Sequence, residues 1–114
     1  MSIVAGSPTI TLNSGLKYTT LKYSHVGHVH WFVFDIQSTT GGRPKGQITL
    51  GWVTGVTQPL DGAATGALRV GVNGVGVYDG ISQFIPVDDS RIELRVFSDI
   101  DNSENYMGSV LYIA

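Results

Sequence analysis

Cysteine is missing from this 114-residue chain, and only 14% of its residues are charged. Without a thiol there is no disulfide, no thiolate metal site and no cysteine nucleophile, whatever the redox compartment. Seven Lys and Arg stand against nine Asp and Glu, a formal net charge of −2, and the basic residues are scattered along the chain. A phosphate backbone calls for a basic patch or stripe, so nucleic acid is not an expected partner. No Lys or Arg precedes Lys17 and no long apolar run occurs, so the sequence reads without a secretory signal or membrane span, and no membrane partner is expected. Sustained helical periodicity is lacking as well.

What is present is period-two alternation punctuated by 15 glycines. That spacing predicts one all-β domain over residues 1–114, with about eight or nine strands and almost no helix. The expected architecture is an antiparallel β-sandwich, jelly-roll-like, in which each strand turns one face to the core. In Arg91 to Phe97, Ile92, Leu94 and Val96 share a face opposite Arg91, Glu93 and Arg95. The same pattern aligns Ile48, Leu50 and Trp52, and again Leu68, Val70 and Val72. Phe32, Phe34, Ile48, Leu50, Leu68, Val70, Ile92, Leu94 and Val96 are the expected core.

Turn chemistry divides these runs. Asn73-Gly74 suits a type I′ hairpin, because both positions accept positive φ. Asp79-Gly80 and Val87 to Ser90 read as two further turns, and Gly41-Gly42-Arg43-Pro44 as a looser loop.

The stretch YSHVGHVHW holds all three histidines, His25, His28 and His30. From His28 to Ile36 both faces of the predicted strand are bulky: His28, His30, Phe32, Phe34 and Ile36 on one, Val29, Trp31, Val33 and Asp35 on the other. Such a strand either lies between two packed layers or turns one face to a neighbouring subunit. We expect a subunit contact, with His28, Val29, His30, Trp31 and Val33 as its candidates.

A metal is the competing reading. His-x-His on a strand sets two imidazoles on one face, roughly 6.6 Å apart at Cα. His28-Val29-His30, with Asp35 and Gly42 after it, resembles the first motif of the cupins, jelly-roll proteins whose His-x-His and a nearby Glu hold a metal. Asp35 lies an odd step away and so points to the opposite face. The stretch matching the second motif, Pro44 to Thr49, offers no histidine. His25 would complete a set only if the Val26-Gly27 turn folded it back beside the others.

A second oxygen-rich stretch, Ser98 to Tyr106, concentrates Asp99, Asp101, Asn102, Glu104 and Asn105, hard ligands of the kind calcium takes. With GALRVGVNG upstream and a closing strand after Gly108-Ser109, it resembles the bacterial galactophilic calcium lectins. That resemblance implies Asp99 and Ser103 as ligands, but Tyr106 and Met107 stand where the family has asparagines, and the family's His-Pro sugar loop is absent. His28, His30, Asp99 and Asp101 are therefore metal candidates without a closed ligand set, and no cofactor is expected. GVNGVG has glycines near dinucleotide spacing, yet reads as a hairpin with no helix to receive a phosphate. There is no Gly-x-Ser-x-Gly elbow, and no catalytic residue is assigned.

The order of features over most of the chain resembles the β-sandwich modules of tailed-bacteriophage virion proteins, above all the C-terminal parts of tail fibres. Pro8-Thr9-Ile10-Thr11 opens, Tyr23 precedes a turn at Gly27, an apolar strand runs from Val29 to Ile36, Gly46 starts Ile48-Thr49-Leu50, and GSVLYIA closes. The resemblance implies a non-enzymatic module, commonly trimeric, assembled in the host cytoplasm into the virion. A tail fibre carries a long N-terminal shaft, whereas Met1 stands a few residues before the first strand. The expectation is therefore a capsid decoration or cement protein, a homo-oligomer that contacts the major capsid protein. A tail-fibre or receptor-binding tip that contacts a tail protein or a host-surface glycan is the alternative, and a calcium-dependent lectin a further one.

Overall fold

The alternating runs all become strands in the computed structural model, which describes residues 2–72 and 76–114. They are β1 (Val4–Ala5), β2 (Thr9–Leu12), β3 (Leu16–Val26), β4 (Val29–Ser38), β5 (Gly46–Thr54), β6 (Ala64–Val72), β7 (Gly76–Pro86), β8 (Ile92–Ser98) and β9 (Ser103–Ile113). Every pairing is antiparallel, and no helix occurs among the described residues.

The expected two-layered, jelly-roll-like sandwich is realised as one curled nine-stranded sheet, in the order β1-β3-β4-β9-β6-β7-β8-β5-β2. The layers merge because β9 pairs with β4 on one side and β6 on the other, leaving no break in the ladder. Curling is enforced by the N-terminal segment. β1 pairs with β3 at one edge of the sheet and β2 with β5 at the other, and only Gly6-Ser7-Pro8 joins them. A link of that length reaches roughly 14 Å, so the two edges must meet, giving a half-barrel with a seam between β2 and β3.

The concave side is the core. Phe32, Phe34, Leu50, Leu68, Val70, Ile92, Leu94 and Val96 are buried as expected, and Ile48 packs against them partly buried. Phe84, Tyr106, Val110 and Tyr112 complete the interior. Trp52 departs from its expected face. A bulge at Leu50 in the β5–β8 ladder sets Leu50, Gly51 and Val53 inward, so Trp52 emerges half-buried on the convex side, opposite Glu93. One inserted residue inverts the parity of everything after it.

Asp79-Gly80 is not a turn but the middle of β7, paired with Arg69 and Leu68. Glycine is needed there for close approach: a Cβ on Gly80 would lie 2.5 Å from the Phe97 carbonyl oxygen and 2.9 Å from Leu68 Cδ2. The Asn73-Gly74 turn lies outside the described residues. Val87 to Ser90 is a turn, closed by Val87 N–H to the Arg91 carbonyl at 3.0 Å. Residues 55–63, which link β5 to β6, cap one end of the barrel: Val56 packs on the core, and Leu60 N–H donates to the Ile113 carbonyl at 2.9 Å.

Candidate functional site

The histidines sit at that capped end, on the β3–β4 hairpin. Its turn is Gly27-His28, with Gly27 at φ 56°, and β4 begins at Val29 rather than His28. Val26 pairs with Val29 and His25 with His30. The fold-back that a third ligand required therefore occurs, but it unites His25 with His30, while His28 is left in the turn with Nδ1 2.9 Å from the Ala114 carbonyl oxygen.

The His25 and His30 rings lie 4.6 Å apart at an interplanar angle of 18°. Lone pairs of imidazoles stacked in this way run side by side instead of converging, which is the wrong geometry for chelation. His30 is only 4% exposed and is held between Tyr23 and Tyr112, at centroid distances of 5.8 and 5.4 Å. The column continues through Phe84, Phe32 and Phe34 along the barrel interior.

Polar satisfaction fixes the proton positions at this end. Tyr112 Oη donates to the Thr57 carbonyl at 2.6 Å, and Thr57 N–H donates to Tyr23 Oη at 3.2 Å. The Tyr23 hydroxyl lies 2.7 Å from His30 Nδ1, and we assign it as the donor there, which places the proton of neutral His30 on Nε2. Burial, then the neighbouring His25 and His28, push the His30 pKa below the usual histidine range. Burial likewise raises the Tyr112 phenol far above its ordinary value.

On the convex side, the residues expected at a contact are sorted by parity. Val29, Trp31 and Val33 face outward, whereas His30 is part of the interior and His28 sits at the hairpin tip. β9 extends the outward set: Ile113 lies opposite Val29, and Leu111 opposite Trp31. Leu111 is 66% exposed, Ile113 55% and Leu60, on the capping loop, 71%. From Val33 the register runs through Ser109 and Ala67 to Ile81 and Phe97, both exposed. The sequence signal for the β9 half was the same two-faced pattern, present in GSVLYIA.

Oxygen-rich residues take structural roles. Asp101 Oδ1 accepts Lys45 N–H at 2.9 Å, tying the β8–β9 turn to the loop before β5. In that turn Asp99 and Asn102 are exposed, and Asn102 adopts a positive φ of 61°. Ser103 Oγ lies 2.6 Å from Tyr106 Oη in the interior. Among the described residues no three His, Asp or Glu side chains converge as metal ligands. Asp88 is held at about 2 by Ser90 N–H, then by the Arg91 side chain. Glu93 is held below its usual range by Arg95, with Thr49 donating as well.

Two shallow hollows flank the contact face. One, of about 310 Å³, is lined by Gln37, Ser38, Glu104 and Asn105 beside Gly71 and Gly76. The other, of about 260 Å³, lies where the capping loop parts from β9, between Leu60 and Leu111. No family model, curated protein or solved structure matches this chain.

Proposed function

We propose that this chain is a non-enzymatic structural protein that self-associates through the convex β4–β9 face, as a capsid decoration protein of a tailed bacteriophage. The observation that carries the reading is the apolar belt formed by exposed Val29, Leu111, Ile113 and Leu60 together with half-buried, outward-facing Trp31 and Val33. An apolar patch of this kind on a monomer marks a contact surface. The ionisable groups best placed for chemistry are occupied elsewhere: His30 by Tyr23, Asp88 by Arg91, Glu93 by Arg95.

A second copy is the occupant that fits the belt. Its borders carry opposite charge, with exposed Lys22 beside Val33 on the β3 side and exposed Asp61 beside Leu60 on the other. A head-to-tail contact sets the Lys22 border of one copy against the Asp61 border of the next, and closure of such contacts gives a ring, of which the trimer is the simplest. Capsid contacts then fall to the free strand edges and loops.

Light scattering across a concentration series tests the self-association, and co-sedimentation with capsids tests the attachment. We expect a trimer that becomes a monomer in Leu111→Glu, with an unchanged circular dichroism spectrum and an unfolding midpoint that no longer depends on protein concentration. A wild-type protein that stays monomeric at high concentration and ignores capsids overturns the reading.

A further inference from the structure

The N-terminal strand closes the barrel seam, yet its grip on β3 is confined to a few residues. Val4 pairs with His25, Ala5 with Ser24, and Gly6 N–H donates to the Tyr23 carbonyl at 2.9 Å. Val4 is half-exposed, so burial contributes little to holding it. Gly6 rests directly on the Tyr23 ring: an added Cβ would lie 2.9 Å from Tyr23 Cε2 and closer still to Cδ2. The three β3 residues that hold the segment thus include Tyr23 and His25, two of the three side chains that stack with the buried His30.

We propose that the Tyr23–His25–His30 stack is an acid-operated catch for the N-terminal strand, closed when His30 is neutral and released when it takes up a proton. In the closed form His30 Nδ1 is the acceptor for the Tyr23 hydroxyl. Protonation places a hydrogen on that nitrogen. The Tyr23 oxygen then faces two N–H donors, His30 and Thr57, and its own proton must turn away from His30 toward the neighbouring Tyr112 hydroxyl. A cation in this barrel end is also uncompensated. The groups that face it are Tyr23 and His25 from β3, His28 from the turn, Tyr112 from β9 and Thr57 from the capping loop; β1 contributes Val4, Ala5 and Gly6. None of these side chains is a carboxylate; the Ala114 oxygen contacts His28 and not His30, and Asp61 on the capping loop is exposed and lines the hollow beside Leu111. Relief comes from moving Tyr23 and His25, and Gly6 and β1 move with them. The freed β3 edge is a row of unpaired main-chain groups open to strand addition. The catch does not depend on the decoration reading, since it concerns one chain alone.

Amide hydrogen exchange at residues 4–6, corrected for intrinsic chemistry and followed from pH 8 to pH 5, reads the catch directly, with β8 amides as the internal control. We expect the opening constant of the Gly6 amide to rise by up to about tenfold per pH unit below about 6.5, the slope of one linked proton, while β8 stays protected. In His30→Gln, where an amide oxygen replaces Nδ1 as acceptor, the rise is absent. Because that variant alters the interior, His25→Gln supplies the second arm. It keeps His30 but removes one of the charges that disfavour its cation, and the amplitude of the acid response shrinks. The proposal is overturned if the Gly6 amide ignores pH, if it opens only together with β8, or if both variants keep the wild-type profile.

Discussion

His25 and His30 are cross-strand partners whose rings stack at 4.6 Å, one half-exposed and the other buried. Because burial and its histidine neighbours lower the His30 pKa in the folded chain, the unfolded chain binds this proton more readily. The stability that neutral His30 contributes is full above about pH 6.5, the unfolded value, and is lost as pH falls through the lower folded value. Denaturant midpoints should therefore fall between pH 7.5 and pH 5. Glu93, whose folded pKa is also lowered, acts in a separate window: its contribution is present above the unfolded carboxyl value of about 4.3 and lost below it. A flat profile from pH 7.5 to pH 5 would refute the assignment of His30.

Tyr23→Phe isolates the hydroxyl. It removes the donor to His30 Nδ1 and the acceptor for Thr57 N–H at once. Leaving buried polar groups unpaired costs about 1–3 kcal/mol, so calorimetry should register a clear drop in the unfolding midpoint. Neutral His30 also loses its hydrogen bond, so the histidine pKa followed by NMR moves up relative to wild type. A downward movement would show that Nδ1 is the donor and the tautomer the reverse.

Gly80→Ala examines the glycine in the middle of β7. Its Cβ would meet the Phe97 carbonyl oxygen at 2.5 Å, and main chain yields less readily than the end of a side chain. Overpacking of this kind costs about 1–3 kcal/mol. Were Gly80 part of a turn, alanine would be nearly neutral, so equilibrium urea unfolding separates the two cases.

Most of the fold was legible because side-chain parity is a strict signal. Ile92, Leu94 and Val96 alternate without interruption and are all buried. Trp52 was not legible, since the bulge at Leu50 leaves no mark in composition and inverts the parity after it. Asp79-Gly80 misled for a related reason: the dipeptide favours a turn locally, but pairing with both β6 and β8 along β7 outweighs that preference. At the histidines the sequence showed the cluster but not its pairing. Which histidine faces which depends on the Gly27-His28 turn, and a turn at Val26-Gly27 would shift the register and change the partner of His25.

Phe34 and Gly108, register partners across β4 and β9, fit tightly together in the interior. A Cβ on Gly108 would collide with Phe34 Cζ and approach the Ala67 carbonyl oxygen at 2.8 Å. Phe34 is fully buried, so truncating it alone leaves a void, and Phe34→Ala should destabilise by about 3–5 kcal/mol. Gly108→Ala alone overpacks the same point and should lose about 1–3 kcal/mol. Combined, the added methyl enters space the ring has vacated, although the Ala67 carbonyl contact persists and makes the relief partial. The double variant should therefore be more stable than the sum of the single losses by about 0.5–3 kcal/mol. Strict additivity in a double-mutant cycle would mean that the ring and the glycine do not share this space.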